Sequence, residues 1–211
     1  MVGHWCSIVP LDVDAHAAAL FAADAEDRGR RWTYLPAGPF ETFDDYRRWM
    51  SHQCTGLDPM FHTVVDRDGS PIGFASYLRI DPAVGSIEVG YINFTSRLQQ
   101  TPAATEAMYL MMRRVFDELG YRRYEWKCDS LNAPSRRAAV RLGFTYEGTF
   151  RQATIYKGRN RDTAWYAITD GEWPEQRERF ETWLDPANFD GDGRQLQPLA
   201  RRPDRSAAPA E

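Results

Sequence analysis

The segment EVGYINFTSRLQQTPAATEAMYLMMRRVFDELG, residues 88–120, decides how this chain is read. Its first seven residues are β-prone and close a stretch, 61–94, that is rich in β-branched and aromatic residues. That stretch is cut by DRDGSP and DPAVG, so it predicts a three-strand meander with turn chemistry in both gaps. The apolar period then changes. Ala104, Ala107, Met108, Met111, Met112, Val115, Phe116 and Leu119 recur at helical spacing and end at Gly120. Between the two periods, Thr101 is placed to cap the helix, with Pro102 at its first position. Such a turn is either only a helix start, or one whose free backbone amides hold a phosphate.

Upstream, WCSIV (5–9) predicts a short strand. LDVDAHAAALFAADAED suits a helix that offers Leu11, Ala15, Ala18, Leu20 and Phe21 for burial. RRWTYLPAGPF (30–40) is an aromatic loop, and a second helix starts near Thr42 with Phe43, Tyr46, Trp49 and Met50 on a mixed face. Downstream, YRRYEWKCD predicts a strand and NAPSRRAAVRL a short helix capped by Asn132 and stopped at Gly143. FTYEGTFRQATIY and TAWYAITD predict a last pair of strands. The order is βααβββαβαββ. After a short helix over 174–184, the polar, Pro/Gly-rich run DPANFDGDGRQLQPLARRPDRSAAPAE predicts an extended or disordered tail.

The totals bound the function. The 211 residues suit one domain with an appended tail. A net charge of −4 and a pI near 5.6 argue against a general nucleic-acid binder. Cys6, Cys54 and Cys128 are odd in number and form no CxxC pair. With four isolated histidines they predict no metal site and a reduced, cytoplasmic setting. No apolar run reaches the ~20 residues of a membrane span, and no secretory leader is read at the start. A homodimer is a prior for any soluble protein, not a reading of this sequence.

The element order, the helix start after the meander, and N132-A-P-S135 followed by RLGF and YEG resemble the GNAT superfamily of acyl-CoA-dependent N-acyltransferases. The likeness is greatest to the ribosomal-protein N-acetyltransferase type. It covers residues 5 to 173, so the expected division is an acyltransferase domain over 1–173 and a short helix with its tail over 174–211. The resemblance implies an α/β (α+β) fold. Its central sheet is mixed and mostly antiparallel, flanked by helices, and splayed between the fourth and fifth strands.

The resemblance also implies acetyl-CoA as co-substrate, with no metal, and an amine acceptor that is either a protein N-terminus or a small molecule. The family's turn reads Gln or Arg, two residues, Gly, one residue, then Gly or Ala. Here Gln99-Gln100-Thr101-Pro102-Ala103-Ala104 keeps the ends and has Pro in the central Gly place. Proline has no N–H, so the amides of Gln100, Thr101, Ala103, Ala104 and Thr105 are those left to cradle a pyrophosphate. Ile92, Asn93 and Phe94 are placed along the pantetheine arm with Asn132 against it, and Arg137 and Arg141 are placed near the phosphates.

For the chemistry, the resemblance puts Ala139 where many members carry a proton-donating Tyr. Ser135 matches the Ser used by the ribosomal-protein type. The usual Glu after the EG pair falls at Thr154, which leaves Glu88 as the nearest carboxylate base. An enzyme without a dedicated base also fits, since an α-amine titrates near ~8 and a lysine near ~10.4. Trp32, Tyr34 and Phe40 are expected to shape the acceptor site, where enclosure favours a small molecule and an open groove a peptide. Glu41, Asp44, Asp45 and Asp58 would suit a cationic acceptor, while Arg151, Arg159, Arg161 and Asp162 read as structural ion pairs. The rival reading is a GNAT-fold protein that binds acyl-CoA without turnover, suggested by the Pro102, Ala139 and Thr154 departures. Each single residue also has a plain structural reading: Asn132 as a cap, Ser135 as a first-turn residue, Glu88 as an arginine's partner.

Overall fold

A computed structural model describes residues 1–199. The chain runs β1 (Ser7–Pro10), α1 (Val13–Ala25), α2 (Phe43–Gln53), β2 (Met60–Val65), β3 (Pro71–Asp81), β4 (Ser86–Phe94) and α3 (Pro102–Arg113). It continues with β5 (Arg123–Asp129), α4 (Ala133–Arg141), β6 (Thr145–Tyr156), β7 (Arg159–Thr169) and α5 (Trp173–Leu184). The strands form one sheet in the order β1-β2-β3-β4-β5-β7-β6. All neighbours are antiparallel except β4 and β5. That pair is parallel because α3 carries the chain back along one face between them.

Four helices start on side-chain caps, two of which, Thr101 and Asn132, the sequence places. The side chains of Asp12, Thr42, Thr101 and Asn132 each accept an amide of the following first turn. Helix α3 lies on one face of the sheet and is buried on all sides from Thr105 to Met112, because α5 covers its outer side. The opposite face is covered over β2 and β3 by α1 and α2, around a second core of Trp32, Tyr46, Met50, Phe61 and Phe74. Among the described residues, no helix is long and apolar enough to cross a membrane.

Three local expectations are corrected. In α1, Ala17 and Leu20 are buried while Ala15 and Ala18 are exposed, and Leu11 precedes the helix. The Ala-rich run carries so little amphipathic contrast that its buried face was not determined by pattern. Leu119 is exposed, because after Arg113 the chain widens into a π turn over Arg114–Glu118. There the Leu119 amide donates to Arg114 O, five residues back, and this rotates Leu119 off the apolar face. Trp5 and Cys6 precede β1. Their amides and that of His4 all donate to the buried Glu106 carboxylate at 2.7, 2.8 and 2.7 Å, respectively, so this segment is gripped by α3 and not by the sheet.

The segment after α5 is also more ordered than its composition suggests. Residues 185–199 make a 3-10 turn over Pro186–Asn188. Phe189 sits edge-on to Trp5 and Trp183, and Leu199 is buried. Polar and Pro/Gly-rich composition misled here because a few apolar anchors, spaced along the run, suffice to hold it down. The remainder of the expected tail, 200–211, lies outside the described residues.

Candidate active site

The parallel ladder between β4 and β5 runs from Ser86↔Arg123 to Val89↔Trp126 and stops there. Beyond it, residues 90–94 and 127–129 diverge and leave facing backbone edges unpaired. A bulge at Tyr91 (φ +49°) accompanies the parting, with a register break against β3 on the other side. Ile92 and Phe94 are half-buried on this arm. Asn93 is 2% exposed, and its Nδ2 has no acceptor among the described residues.

The chain then turns through 95–101 into α3. Thr95 anchors the turn on Ile72 O through both its amide and its hydroxyl (3.1 and 2.6 Å), and the amides of Leu98 and Gln99 return to Thr95 O. The Gln99 side chain is folded back onto Phe94 O at 2.7 Å. Gln100 is held at φ +61°, in the left-handed region. Thr101 Oγ1 donates to Leu98 O and accepts the Ala104 amide at 3.2 Å, so that amide is already engaged. Gln100, Thr101 and Ala103 keep amides that donate to no protein acceptor among the described residues. Arg141 reaches this end of α3 from α4, with Nη1 donating to Thr105 Oγ1 at 3.0 Å and the guanidinium over the Trp183 ring at 5.2 Å. Arg137 is exposed on the same helix.

Asn132 is an N-cap whose Oδ1 accepts the Ser135 amide at 3.2 Å. Ser135 Oγ accepts Trp126 Nε1 at 3.0 Å, which puts the hydroxyl at the last paired step of β5. Beside it, the Cys128 thiol is pushed up by burial, opposed by a hydrogen bond with Ser135. Glu88, 3% exposed, lies on the opposite face of the sheet. Its Oε2 meets Arg79 Nη1 at 2.5 Å and Lys127 Nζ at 2.9 Å. Thr154 is exposed on β6 and Ala139 is fully buried.

Trp32, Tyr34 and Phe40 separate in the structure. Trp32 is 1% exposed, with its Nε1 donating to Asp24 Oδ2 at 3.2 Å, and it supports the loop from below. Phe40 packs edge-on to it, half-buried. Tyr34 reaches outward, and its hydroxyl donates to Leu131 O, past the end of β5, at 3.1 Å.

The same loop is tied to the tip of the β6–β7 hairpin, where Lys157 Nζ donates to Trp32 O at 2.7 Å and Arg159 Nη2 to Thr33 O at 2.8 Å. The Arg159 guanidinium lies over Tyr34. Tyr156 Oη completes the ring by donating to buried Asp129 at 2.8 Å. Loop 32–34, the hairpin tip and the β5–α4 connection thus form a strap across the mouth of the fork. The sequence signalled none of these partners, because three of the contacts end on main-chain carbonyls.

The expected ion pairs at the hairpin are therefore corrected. Among the described residues Arg151, Arg159, Arg161 and Asp162 form no ion pair, and Asp162 instead accepts the Gln152 amide and Asn160 Nδ2. Two of the four expected acceptor carboxylates are also engaged. Asp58 accepts the amides of Arg79 and Ile80, and Asp45 accepts its own cap's hydroxyl and Arg48.

The profile of the Acetyltransferase (GNAT) domain matches residues 7–145. A crystal structure of a GCN5-related N-acetyltransferase from Brucella melitensis is 45% identical with a TM-score of 0.91, covering 94% of this chain and 90% of that one. A probable acetyltransferase of the GNAT family from Chromobacterium violaceum is 44% identical with a TM-score of 0.78, covering 82% and 87%. Bacillus subtilis YnaD, named as an uncharacterized N-acetyltransferase, is 26% identical over 141 residues, 66% of this chain and 81% of YnaD.

Proposed function

The chain belongs to the GNAT acetyltransferase family, and on that premise we propose that it moves an acetyl group from acetyl-CoA to the primary amine of a small molecule, by direct attack in a ternary complex. One observation carries this reading: the unpaired β4 edge leads within a few residues to a helix start with undonated amides and an arginine beside them. The β4 arm at Ile92, Asn93 and Phe94 offers amide-sized partners for the pantetheine arm, which is built like a peptide. The amides of Gln100, Thr101 and Ala103, with Arg141 and Arg137 near, supply partial and full positive charge for a pyrophosphate.

Ser135 then gives its proton to the departing thiolate, its oxygen being held by Trp126, and takes back the proton that the attacking amine sheds as the amide forms. Glu88 does not serve as base in this reading, because two cations occupy its carboxylate. The acceptor amine arrives neutral, and its own pKa sets the pH dependence. The strap of Tyr34, Lys157 and Arg159 supports a small acceptor over a protein N-terminus, since it ties loop 32–34 across the mouth of the fork and enclosure favours a small molecule.

Calorimetry with acetyl-CoA, and with pantetheine lacking the phosphates, tests the cofactor assignment. A panel of a polyamine, an amino acid, an aminoglycoside and a short peptide tests the acceptor. Micromolar acetyl-CoA binding that disappears without the pyrophosphate, and transfer to a small amine, are expected. No acetyl-CoA binding would refute the cofactor assignment, and transfer only to the peptide would refute the acceptor class.

A further inference from the structure

On the face of the sheet that carries Glu88, a buried cation sits where β4 and β5 part. Lys127 is the first β5 residue beyond the last paired step, Val89↔Trp126. Its side chain is 6% exposed, and its ammonium lies 2.9 Å from Glu88 Oε2 on β4 and 2.7 Å from Glu125 Oε2 on β5. It also lies 3.7 Å from the centre of the Trp165 ring on β7, the residue directly opposite it in register. The chain of charges extends both ways, to Arg79 on β3 through Glu88 and to Arg123 and Glu147 through Glu125. Opposite charges alternate along it, and the innermost members are the most buried.

A buried ammonium costs several kcal/mol of desolvation, and well-packed apolar residues are often at least as stable in its place. What an ion pair adds is directional. It ties Lys127, the first β5 residue whose backbone no longer bonds to β4, back to Glu88 within the paired ladder. Trp165 fixes the height of the ammonium above the sheet, because a cation over an aromatic face has one preferred position.

We infer that Lys127 is a positioning residue: by tying the first unpaired residue of β5 back to Glu88 at the base of the fork it sets how β5 parts from β4, and so the width of the β4–β5 slot, and it keeps the Glu88 carboxylate engaged. The inference rests on the assignment of that slot to the pantetheine arm of acetyl-CoA. Lys127→Met should weaken acetyl-CoA binding at least tenfold by calorimetry. Adenosine 3′-phosphate 5′-diphosphate, which lacks the pantetheine arm, should bind within twofold of the wild-type chain. Lys127→Arg, which keeps a cation, should restore acetyl-CoA binding to within about threefold. If Lys127→Met does not fold by circular dichroism, Glu88→Gln cuts the same tie from the other strand and should reproduce the split between the two ligands. Equal weakening of both ligands, unchanged acetyl-CoA binding, or no rescue by arginine would each overturn the inference. Failure of the wild-type chain to bind acetyl-CoA would instead refute the cofactor assignment on which it stands.

Discussion

Replacing Ser135 with alanine tests the proton donor, and the structure gives the change two separable consequences. The first is local. Ser135 Oγ accepts the indole N–H of Trp126, a buried residue, at 3.0 Å, and losing the acceptor leaves that donor unsatisfied at a cost of about 1–3 kcal/mol. Urea denaturation should therefore show a loss of that order. The second is chemical. General acid catalysis contributes roughly 10²–10⁴-fold, so kcat should fall by well over tenfold, equivalent to more than ~1.4 kcal/mol of barrier, with acetyl-CoA affinity nearly unchanged.

Trp126→Phe separates the two. It removes the indole donor and keeps the hydroxyl, so its kcat should stay near that of the wild type, and Ser135→Ala made in the Trp126→Phe background should still cost more than tenfold. Steady-state kinetics on the best amine of the acceptor panel reads all four proteins. If the cost of Ser135→Ala vanishes in the phenylalanine background, Ser135 only holds the tryptophan and the proton-donor assignment is wrong.

Pro102→Gly should supply one more amide to the α3 turn and leave acetyl-CoA affinity equal or tighter by calorimetry, at a stability loss of roughly 0.5–1 kcal/mol from the freer backbone; a large loss of affinity would show that the proline's rigidity outweighs its missing donor. Asp24 is pushed up to about 6 by burial, opposed by Arg31 and by its bond from Trp32 Nε1. Its folded pKa lies above its unfolded value, so the native state binds the extra proton between about 4 and 6, and this site's contribution to stability should rise as pH falls from 7 through 6. Asp24→Asn should abolish that increment, and an unaltered slope of urea stability against pH would refute it. A Cβ at Gly3 would collide with the Glu106 carboxylate, so Gly3→Ala should break the three-amide grip on the N-terminal segment and lower urea stability by about 1–3 kcal/mol. A change under about 0.5 kcal/mol would show that the grip contributes nothing.

The meander, the helix after it and two of the helix caps were legible because each is a local pattern. Alternation, 3.6-residue spacing, and an oxygen-bearing side chain before an apolar run need no knowledge of distant partners. Thr101 and Asn132 cap as read. The π turn at Arg114–Glu118 was not legible, since a single widened turn leaves the spacing before it intact and displaces only the residues after it.

At the site, the approach of Arg141 to the start of α3 agrees with its expected neighbourhood. The engagement of Glu88 by Lys127 depends on strand register, which no local pattern encodes. The strap was invisible for a different reason. Lys157 and Arg159 bond to the carbonyl oxygens of Trp32 and Thr33, and every residue carries a carbonyl, so no partner residue type marks the contact.

The N-terminal end of α3 shows how a departure in one turn is met from elsewhere in the chain. Proline removes one donor, and the Thr101 hydroxyl takes the amide of Ala104, so the helix start alone presents fewer free N–H groups than its length suggests. A full positive charge arrives from α4 instead: Arg141 bonds Thr105 on the first turn, and its guanidinium plane rests on Trp183 of α5. Trp183 is in turn fixed by its Nε1 donating to Gln195 Oε1 at 3.0 Å, from the segment that folds back after α5. The aromatic surface under Arg141 restricts its side chain before any ligand arrives, which lowers the entropy lost on binding an anion. In this way α5 and residues 185–199, which carry no motif of the acyltransferase and bear none of its chemistry, support the charge at the proposed phosphate end of the slot.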